Sequence, residues 1–189
     1  MASQIVRHMA DHKMHDPLQS AYRLGHSTET AKNDIDRHLD NGRGCVLVLL
    51  DLSDAFDTID HDILLDRLER FTGITGLALR WIRSYLNDRK QSVMISGKVN
   101  EATDLKIGVP QGSVLGPLLF LVYILPLQEI IRKHSVQHHG YADDRQLYKS
   151  FKMKDMYDYH RVVKEMEHCI KDVRSWMVTN KLKLNDDKT

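Results

Sequence analysis

The segment from Cys45 to Asp57 reads CVLVLLDLSDAFD, and its apolar half decides how the chain folds. The run Cys45–Leu52 is short, continuous and rich in Val and Leu, which predicts a strand buried on both faces. Asp51 interrupts this run near its end. A carboxylate in such surroundings lowers stability unless it is paired or holds a metal ion. The segment therefore predicts a buried strand that ends on an acidic residue with a function.

A second acidic feature lies within 137–150, which has the pattern of two strands on either side of Asp143 and Asp144. A carboxylate at a strand end and two more at a tight turn can converge on divalent cations, because hard ions such as Mg²⁺ prefer oxygen ligands. Two such ions stabilise the attacking and leaving oxygens of a phosphoryl transfer. The alternative is structural, since Asp is common in turns, where it hydrogen-bonds its own backbone. From these residues alone, both interpretations stand.

The rest of the chain has the patterns of helices mixed with short strands. Helices are predicted, after a helical or frayed lead-in at 1–16, over 28–41, 63–71, 77–86, 114–133 and 156–180. Strands are predicted at 92–96 and 101–107, around a turn at Gly97 and Lys98. These elements indicate one α+β or mixed α/β domain.

The composition is that of an ordinary globular protein, with 189 residues, 42% of them hydrophobic and 28% charged. The net charge of +1 lacks the cationic excess usual in proteins that grip a nucleic-acid duplex. Cys45 and Cys169 predict free thiols in a reducing compartment. The sequence has neither a signal peptide nor an apolar run of bilayer-spanning length. We therefore expect an intracellular protein of the nucleus or cytoplasm that is not secreted and does not enter a membrane.

Four motifs give the chain a resemblance to a known family. The chain resembles motifs A to D of reverse transcriptases in four segments, which are LLDLSDAFD at 49–57, GVPQGSVLGP at 108–117, YADD at 141–144 and LKLNDDKT at 182–189. The segment QSAYRLGHSTETA at 19–31 is similar to the fingers of non-LTR, LINE-type retrotransposons of the jockey and chicken-repeat type. Any one motif is weak, but four in this order and spacing are highly specific.

The resemblance implies an α+β fold of fingers and palm, with a central antiparallel sheet packed on helices and with the thumb absent. It makes 1–189 a single partial domain, with fingers at roughly 1–44 and 63–107 and a palm at roughly 45–62 and 108–189. It also implies an RNA-directed DNA polymerase that extends a DNA primer on an RNA template from deoxynucleoside triphosphates. Nothing in the sequence indicates an oligomeric state.

The same resemblance assigns roles to residues of motif A and motif C. Asp51, Asp143 and Asp144 match the catalytic aspartates that hold two Mg²⁺ ions, with Mn²⁺ as a substitute. Phe56 matches the aromatic residue that closes against C2′ of the incoming nucleotide and excludes a ribose hydroxyl. Core packing is the other interpretation of Phe56, and the two roles are compatible.

Four further residues match positions of the family that contact substrate. Gln111 and Gly112 match positions that face the incoming nucleotide, where Gly permits close backbone approach and Gln offers amide donors and acceptors. The alternative for both is a simple helix start. Lys188 matches the motif D lysine that protonates the leaving pyrophosphate, or is a solvated tail lysine. Arg23 lies in the fingers segment that contacts template or triphosphate, or is an ordinary surface arginine.

Two departures from the family pattern leave two hypotheses open. Arg145 stands where family members usually have Thr, and a cation beside the aspartates would compete with Mg²⁺. The chain also stops at motif D, so we expect it to lack the thumb that clamps the heteroduplex. The first hypothesis is a polymerase core. The second is a truncated or decayed, inactive fragment that acts at most as a nucleic-acid or protein-binding module.

Overall fold

The structure, a computed structural model, describes residues 1–21, 29–53, 55–110 and 112–185, and of residues 29–31 and 53 the backbone alone. The helices are α1 (Ala2–Asp11), α2 (Glu29–Asp40), α3 (His61–Thr72), α4 (Gly76–Leu86), α5 (Gly116–Ile124), α6 (Leu127–Lys133) and α7 (Met156–Thr179). The strands are β1 (Arg43–Leu50), β2 (Leu52–Ser53), β3 (Lys90–Gln91), β4 (Met94–Ile95), β5 (Lys98–Val99), β6 (Thr103–Asp104), β7 (Gln137–Tyr141), β8 (Asp144–Lys152) and β9 (Lys183–Leu184).

The chain divides into two compact units. The first unit comprises Met1–Met14 and Phe56–Tyr123, and the second comprises His15–Ala55 and Ile124–Thr189. Both contain helices and short strands, and all strand pairs in named strands are antiparallel. The predicted α+β character, with an antiparallel sheet packed on helices, is therefore confirmed.

The second unit is built on an antiparallel sheet in which β8 lies between β1 and β7. The register places Leu50 opposite Arg145 at one end of the β1–β8 ladder. It places Tyr141 opposite Asp144 where β7 turns into β8. The end of β1 and the turn of the β7–β8 hairpin therefore lie at the same end of the sheet.

Helix α7 packs against this sheet through one apolar stripe. It contacts β8 and also packs on α6. Its buried apolar residues recur at spacings of three or four, and they are Val162, Met166, Cys169, Val173 and Met177. That spacing keeps them on one helical face, so the predicted amphipathic helix is confirmed. Asp155 caps the start of the helix, because its side chain accepts a hydrogen bond from the backbone amide of Asp158.

The prediction that the first strand is buried on both faces is wrong. Leu47 is 46% exposed and Leu49 is 52% exposed, whereas Leu50 is buried. The cause is topological, because β1 lies at an edge of the sheet and antiparallel sheets commonly bury one face only. The apolar run has the pattern of a strand buried on both faces because leucine also occupies its outward-facing positions.

In the first unit, the ends of helix α3 coincide with local capping signals in the sequence. The Asp60 carboxylate accepts hydrogen bonds from the amides of Asp62 and Ile63 and begins α3, which ends at Gly73 with φ 64°. Helix α5 is apolar on all sides and almost wholly buried, as expected of a core helix. None of the helices given above combines the length and apolar character needed to cross a bilayer.

Two predicted boundaries differ from the structure. The helix predicted over 114–133 is two helices, and α6 begins after Pro126, which cannot donate the amide hydrogen bond that a continuous helix needs. The predicted turn at Gly97 and Lys98 is displaced by one residue. Ser96 and Gly97 are the central pair, with φ 50° and 78°, which is the two-residue turn with two positive φ angles that suits hairpin twist.

Candidate active site

The register of β1 on β8 brings two of the predicted aspartates to one place. Leu50 and Arg145 form the last pair of that ladder, Asp51 follows Leu50, and Asp144 precedes Arg145. The two carboxylates are thus one residue beyond the last pair on adjacent strands. Residues directly opposite in an antiparallel pair have Cβ atoms about 4.5–5.5 Å apart, which is the scale of a shared ion site.

The third aspartate lies in the hairpin turn. Tyr141 is opposite Asp144, so the central turn residues are Ala142 and Asp143 rather than the predicted Asp143 and Asp144. Asp143 is half-buried and Asp144, the first residue of β8, is exposed. Of the two central residues Ala142 alone has a positive φ, 57°. A positive φ at the first central position defines a hairpin turn that normally has Gly there.

The aspartates share a surface with exposed apolar groups. Side chains alternate along a strand, so Leu49 and Asp51 point to the same face of β1. Tyr141 faces the same way as its partner Asp144, and Tyr141 and Leu49 are both about half exposed. The surface thus offers carboxylates beside apolar area, which suits a ligand that carries both phosphate-bound cations and planar or sugar groups.

Asn185 orients Asp51 and was not identified as functional from the sequence. Its amide nitrogen Nδ2 donates to Oδ2 of Asp51 at 2.9 Å, and its backbone N–H donates to the Asp51 carbonyl at 2.9 Å. The pairing of β9 with β2, Leu184 opposite Leu52, sets this position. Asn185 lies in the fourth motif, where the sequence analysis assigned a role to Lys188 only.

Arg145 does not compete for a metal in the way the sequence suggested. Its side chain is 2% exposed, and Nη1 donates to Oδ2 of Asp16 at 3.3 Å. Since neighbours on a strand face opposite ways, Arg145 leaves β8 on the face away from Asp144. The guanidinium crosses β7 at Gly140, where an added Cβ would lie 3.1 Å from Arg145 Cζ. Its charge is therefore balanced by Asp16 rather than directed at the aspartates.

Asp16 is the centre of a buried polar cluster that sequence analysis missed. His138 Nε2 lies 3.1 Å from Oδ2 of Asp16, and the Leu18 amide donates to Oδ1 at 3.1 Å. Burial raises the pKa of Asp16, but the hydrogen bond and charge of His138 and the charge of Arg145 outweigh burial and lower that pKa to about 2. The lead-in at 1–16 is polar and has no apolar periodicity that would have predicted a buried Asp16.

Gln19 connects the segment that follows the lead-in to the turn that carries Asp143. Its Nε2 donates to the Ala142 carbonyl at 3.3 Å, and its Oε1 accepts from the Ala142 amide at 3.1 Å. The backbone beside it pairs with β7, because Gly140 donates to the Leu18 carbonyl at 2.8 Å and Ser20 donates to the Gly140 carbonyl at 2.9 Å. Gln19 was quoted as part of the fingers motif but was given no role.

Helix α2 contacts the sheet through Asp34, on the face opposite to the Arg145 side chain. Tyr148 donates its hydroxyl to Oδ2 of Asp34 at 3.1 Å, and His139 Nε2 lies 3.2 Å from the same oxygen. Burial first, and then the Asp34 carboxylate, raises the pKa of Tyr148. The phenol therefore remains a hydrogen-bond donor at neutral pH.

Phe56, the predicted sugar gate, is half-buried in the first unit. Its ring centroid lies 5.3 Å from that of Phe120, with 43° between the planes. Its carbonyl accepts from the Val109 amide at 2.8 Å, which fixes motif A to the start of motif B. These contacts agree with the packing role, and the gating role stays a prediction.

Gly112 has φ 74° and is exposed, with no described atom within 4 Å of the position that a Cβ would take. A close approach within the chain occurs at Gly108, with φ 85°, where a Cβ would lie 2.9 Å from the Asp57 carbonyl oxygen. Approach of a nucleotide to Gly112 stays a prediction.

Arg23, Gln111 and Lys188 lie outside the described residues. Their predicted roles toward triphosphate, nucleotide and pyrophosphate stay predictions.

The donor set at the sheet end fits a divalent cation that substrate helps to bind. In the part of the chain that the structure describes, no three His, Cys, Asp or Glu side chains already form a cluster for a metal ion. Mg²⁺, however, is usually bound by one or two carboxylates, with waters and substrate phosphates as the other ligands. Asp51 and Asp144 on adjacent strand ends supply such a partial set.

Comparisons with known proteins found a matching family model and similar proteins. The family model described as reverse transcriptase (RNA-dependent DNA polymerase) matches residues 1–189. The probable RNA-directed DNA polymerase from transposon BS of Drosophila melanogaster is 30% identical over 131 residues, which cover 67% of this chain and 14% of that protein. The RNA-directed DNA polymerase from mobile element jockey of the same organism is 29% identical over 137 residues, covering 67% of this chain and 15% of that protein. The chain thus spans a small part of the length of these relatives.

Solved structures share the fold at low sequence identity. The apo telomerase of Candida tropicalis, truncated from its C-terminal domain, superposes with a TM-score of 0.66 at 12% identity, over 99% of this chain and 38% of that one. Telomerase of Candida albicans gives 0.64 at 14% identity, over 99% and 33%. With a family match along its whole length and similarity to non-LTR retrotransposon polymerases, the chain belongs to the reverse transcriptase family.

Proposed function

We propose that this chain is the catalytic portion of an RNA-directed DNA polymerase of a non-LTR retrotransposon. It would extend a DNA primer on an RNA template by nucleotidyl transfer from deoxynucleoside triphosphates. The observation that carries the proposal is the register of β1 on β8, which sets Asp51 and Asp144 side by side at the turn that holds Asp143. Family membership supports the reaction type, and the surface beside the aspartates suits a nucleotide.

Asp51, Asp143 and Asp144 would hold a pair of Mg²⁺ ions, for which Mn²⁺ would substitute. Such ions, when bound, neutralise charge on the attacking and leaving oxygens of an in-line displacement. The task of the chain is then positioning, because a misplaced carboxylate or primer end lowers the rate steeply. Asn185 contributes by holding Oδ2 of Asp51 through its side-chain amide.

The nucleotide-recognition roles rest on the family motifs. Phe56 would exclude the ribose 2′-hydroxyl, Gln111 and Gly112 would face the incoming nucleotide, and Arg23 would contact template or triphosphate. Lys188 would donate a proton to the leaving pyrophosphate.

The finer organisation is proposed on the same basis. Fingers would comprise roughly 1–44 and 63–107, and the palm would comprise roughly 45–62 and 108–189. RNA template, DNA primer and deoxynucleoside triphosphates would be the partners. The nucleus or cytoplasm would be the compartment.

Single-turnover primer extension by the 189-residue chain tests the proposal, with a DNA primer annealed to RNA, Mg²⁺ and deoxynucleoside triphosphates. Asp51→Asn and Asp143→Asn should each lower the extension rate by about 10²–10³-fold, as loss of one electrostatic group in an active site does. Asp36→Asn, which changes an exposed aspartate of α2, is the matched control and should extend normally. Extension that survives both active-site changes would refute the proposed site. Primer–template binding without extension by the unaltered chain would favour the binding-module hypothesis.

A further inference from the structure

The turn that carries Asp143 contains a strained residue. Ala142 has φ 57°, a conformation that L-residues with a side chain adopt rarely and at a cost. It occupies the first central position of the two-residue turn, where Gly would adopt the same φ without penalty. A strained residue persists only when its surroundings hold it. Something outside the hairpin must therefore favour this turn geometry over its alternatives.

The Gln19 side chain is the contact that holds Ala142. Its oxygen accepts from the Ala142 amide at 3.1 Å and its nitrogen donates to the Ala142 carbonyl at 3.3 Å, so one carboxamide bridges the two peptide groups on either side of the Ala142 Cα. Gln19 is 3% exposed, and its own backbone is fixed because hydrogen bonds flank it on both sides, from Gly140 to Leu18 and from Ser20 to Gly140. The clamp is therefore rigid as well as bidentate.

Side-chain chemistry restricts which residue can act in this way. A carboxamide presents one donor and one acceptor in a plane, which complements the N–H and C=O of a single backbone residue. Glu lacks the donor, and Lys and Arg lack the acceptor. Packing alone would select for length and burial, whereas these two bonds select for an amide.

We propose that Gln19 is a positioning residue for the metal site, which fixes the backbone of Ala142 and thereby the direction of the Asp143 carboxylate. Asp143 follows Ala142 directly, so rotation of the peptide unit between them would swing that carboxylate away from Asp51 and Asp144. This inference rests on the proposed function of the aspartates. Gln19 itself touches no substrate or metal in this scheme and acts through the turn.

Mn²⁺ binding to the 189-residue chain, followed by the paramagnetic resonance signal of the free ion, tests the inference. Gln19→Met preserves side-chain length but removes the strong donor and acceptor. It should weaken Mn²⁺ binding by about 10–100-fold, the usual loss when an outer partner of a metal ligand is removed. Val173→Ala, which truncates a buried residue of α7 far along the chain, is the control for general destabilisation. It should lower the melting temperature while leaving the affinity for Mn²⁺ unchanged.

A second substitution separates positioning from packing. In the Gln19→Met background, Ala142→Gly removes the cost of the positive φ, so the turn no longer needs the clamp. Most of the lost Mn²⁺ affinity should return. A packing defect at residue 19 would not be repaired by a change at residue 142, so absence of rescue would overturn the inference.

Hydrogen exchange can be measured on the unaltered chain, so its result does not depend on whether a variant folds. The Ala142 amide donates to a buried side-chain oxygen, and it should exchange at least about 10²-fold more slowly than an unprotected amide. Exchange at the unprotected rate would overturn the clamp itself. Asp143→Asn separates failure of the proposed metal site from failure of the role assigned to Gln19. If that change leaves Mn²⁺ binding intact, the proposed function fails. If it abolishes binding while Gln19→Met does not weaken it, only the role of Gln19 fails.

Discussion

At the scale of single residues, one buried ion pair connects the lead-in segment to the central strand. Arg145 and Asp16 are almost wholly buried, and the Asp16 carboxylate also has His138 at 3.1 Å and Arg132 at 3.7 Å. Burial lowers the pKa of Arg145, and the Asp16 carboxylate opposes that change. Replacement of Arg145 removes one of the cations beside Asp16, and replacement of Asp16 leaves the Arg145 charge buried without its carboxylate partner. Either change is more costly than loss of a surface pair.

Arg145→Thr, which restores the residue usual in the family, should therefore destabilise the protein. We expect urea denaturation to show a loss of about 1.5–3 kcal/mol in the free energy of unfolding, the contribution of a hydrogen bond to a charged group. Arg37→Thr, at an exposed arginine 3.6 Å from Asp34, is the control and should cost at most about 1 kcal/mol. A variant of undiminished stability that needs less Mg²⁺ for half-maximal extension would instead support competition between Arg145 and the metal.

At the scale of elements, the short strand β9 matters for chemistry because it delivers Asn185 to Asp51. Asn185→Ala removes the hydrogen bond to Oδ2 of Asp51 and should raise the Mg²⁺ concentration needed for half-maximal primer extension by about 10-fold or more. Lys183→Ala changes an exposed residue of the same strand and is the matched control. An equal effect of both substitutions would show that the strand, rather than the amide of Asn185, is what matters.

The elements that the sequence predicted well are those whose signal is local. Helix α7 has a long periodic stripe, and Asp51 stands out because a carboxylate at the end of an apolar run is costly. The exposure of Leu47 and Leu49 could not be predicted, since an edge strand with leucine on its outer face has the same sequence pattern as a central strand. Gln19 and Asp16 were missed because their partners lie more than 100 residues away and depend on the register of β7 and β8.

At the scale of the whole molecule, the buried cluster at Asp16 predicts how stability depends on acid. The folded pKa of Asp16, about 2, is below its ordinary value of 3.8, so the unfolded chain binds the proton more readily. Its contribution, about 2 kcal/mol, is present above roughly pH 4 and is lost as the pH falls toward 2.

The two tryptophans allow this loss to be followed in the second unit. Trp176 lies in α7, and Trp81→Phe leaves it as the sole tryptophan. In that background, the difference in unfolding free energy between Asp16 and Asp16→Asn proteins should be largest near neutral pH and shrink below pH 4. A difference that stays constant from pH 7 to pH 2 would contradict the assigned ionisation.

Gly140 of β7 has no side chain, and this restricts which substitutions the sequence can accept. A methyl group there would lie 3.0 Å from the Gln19 amide nitrogen and 3.1 Å from the Arg145 guanidinium, so both side chains would have to move by a few tenths of an ångström. A substitution at 140 would therefore disturb the contacts of the Ala142 turn and of the Asp16 cluster together. Evolutionary change at positions 19, 140 and 145 is in this sense coupled.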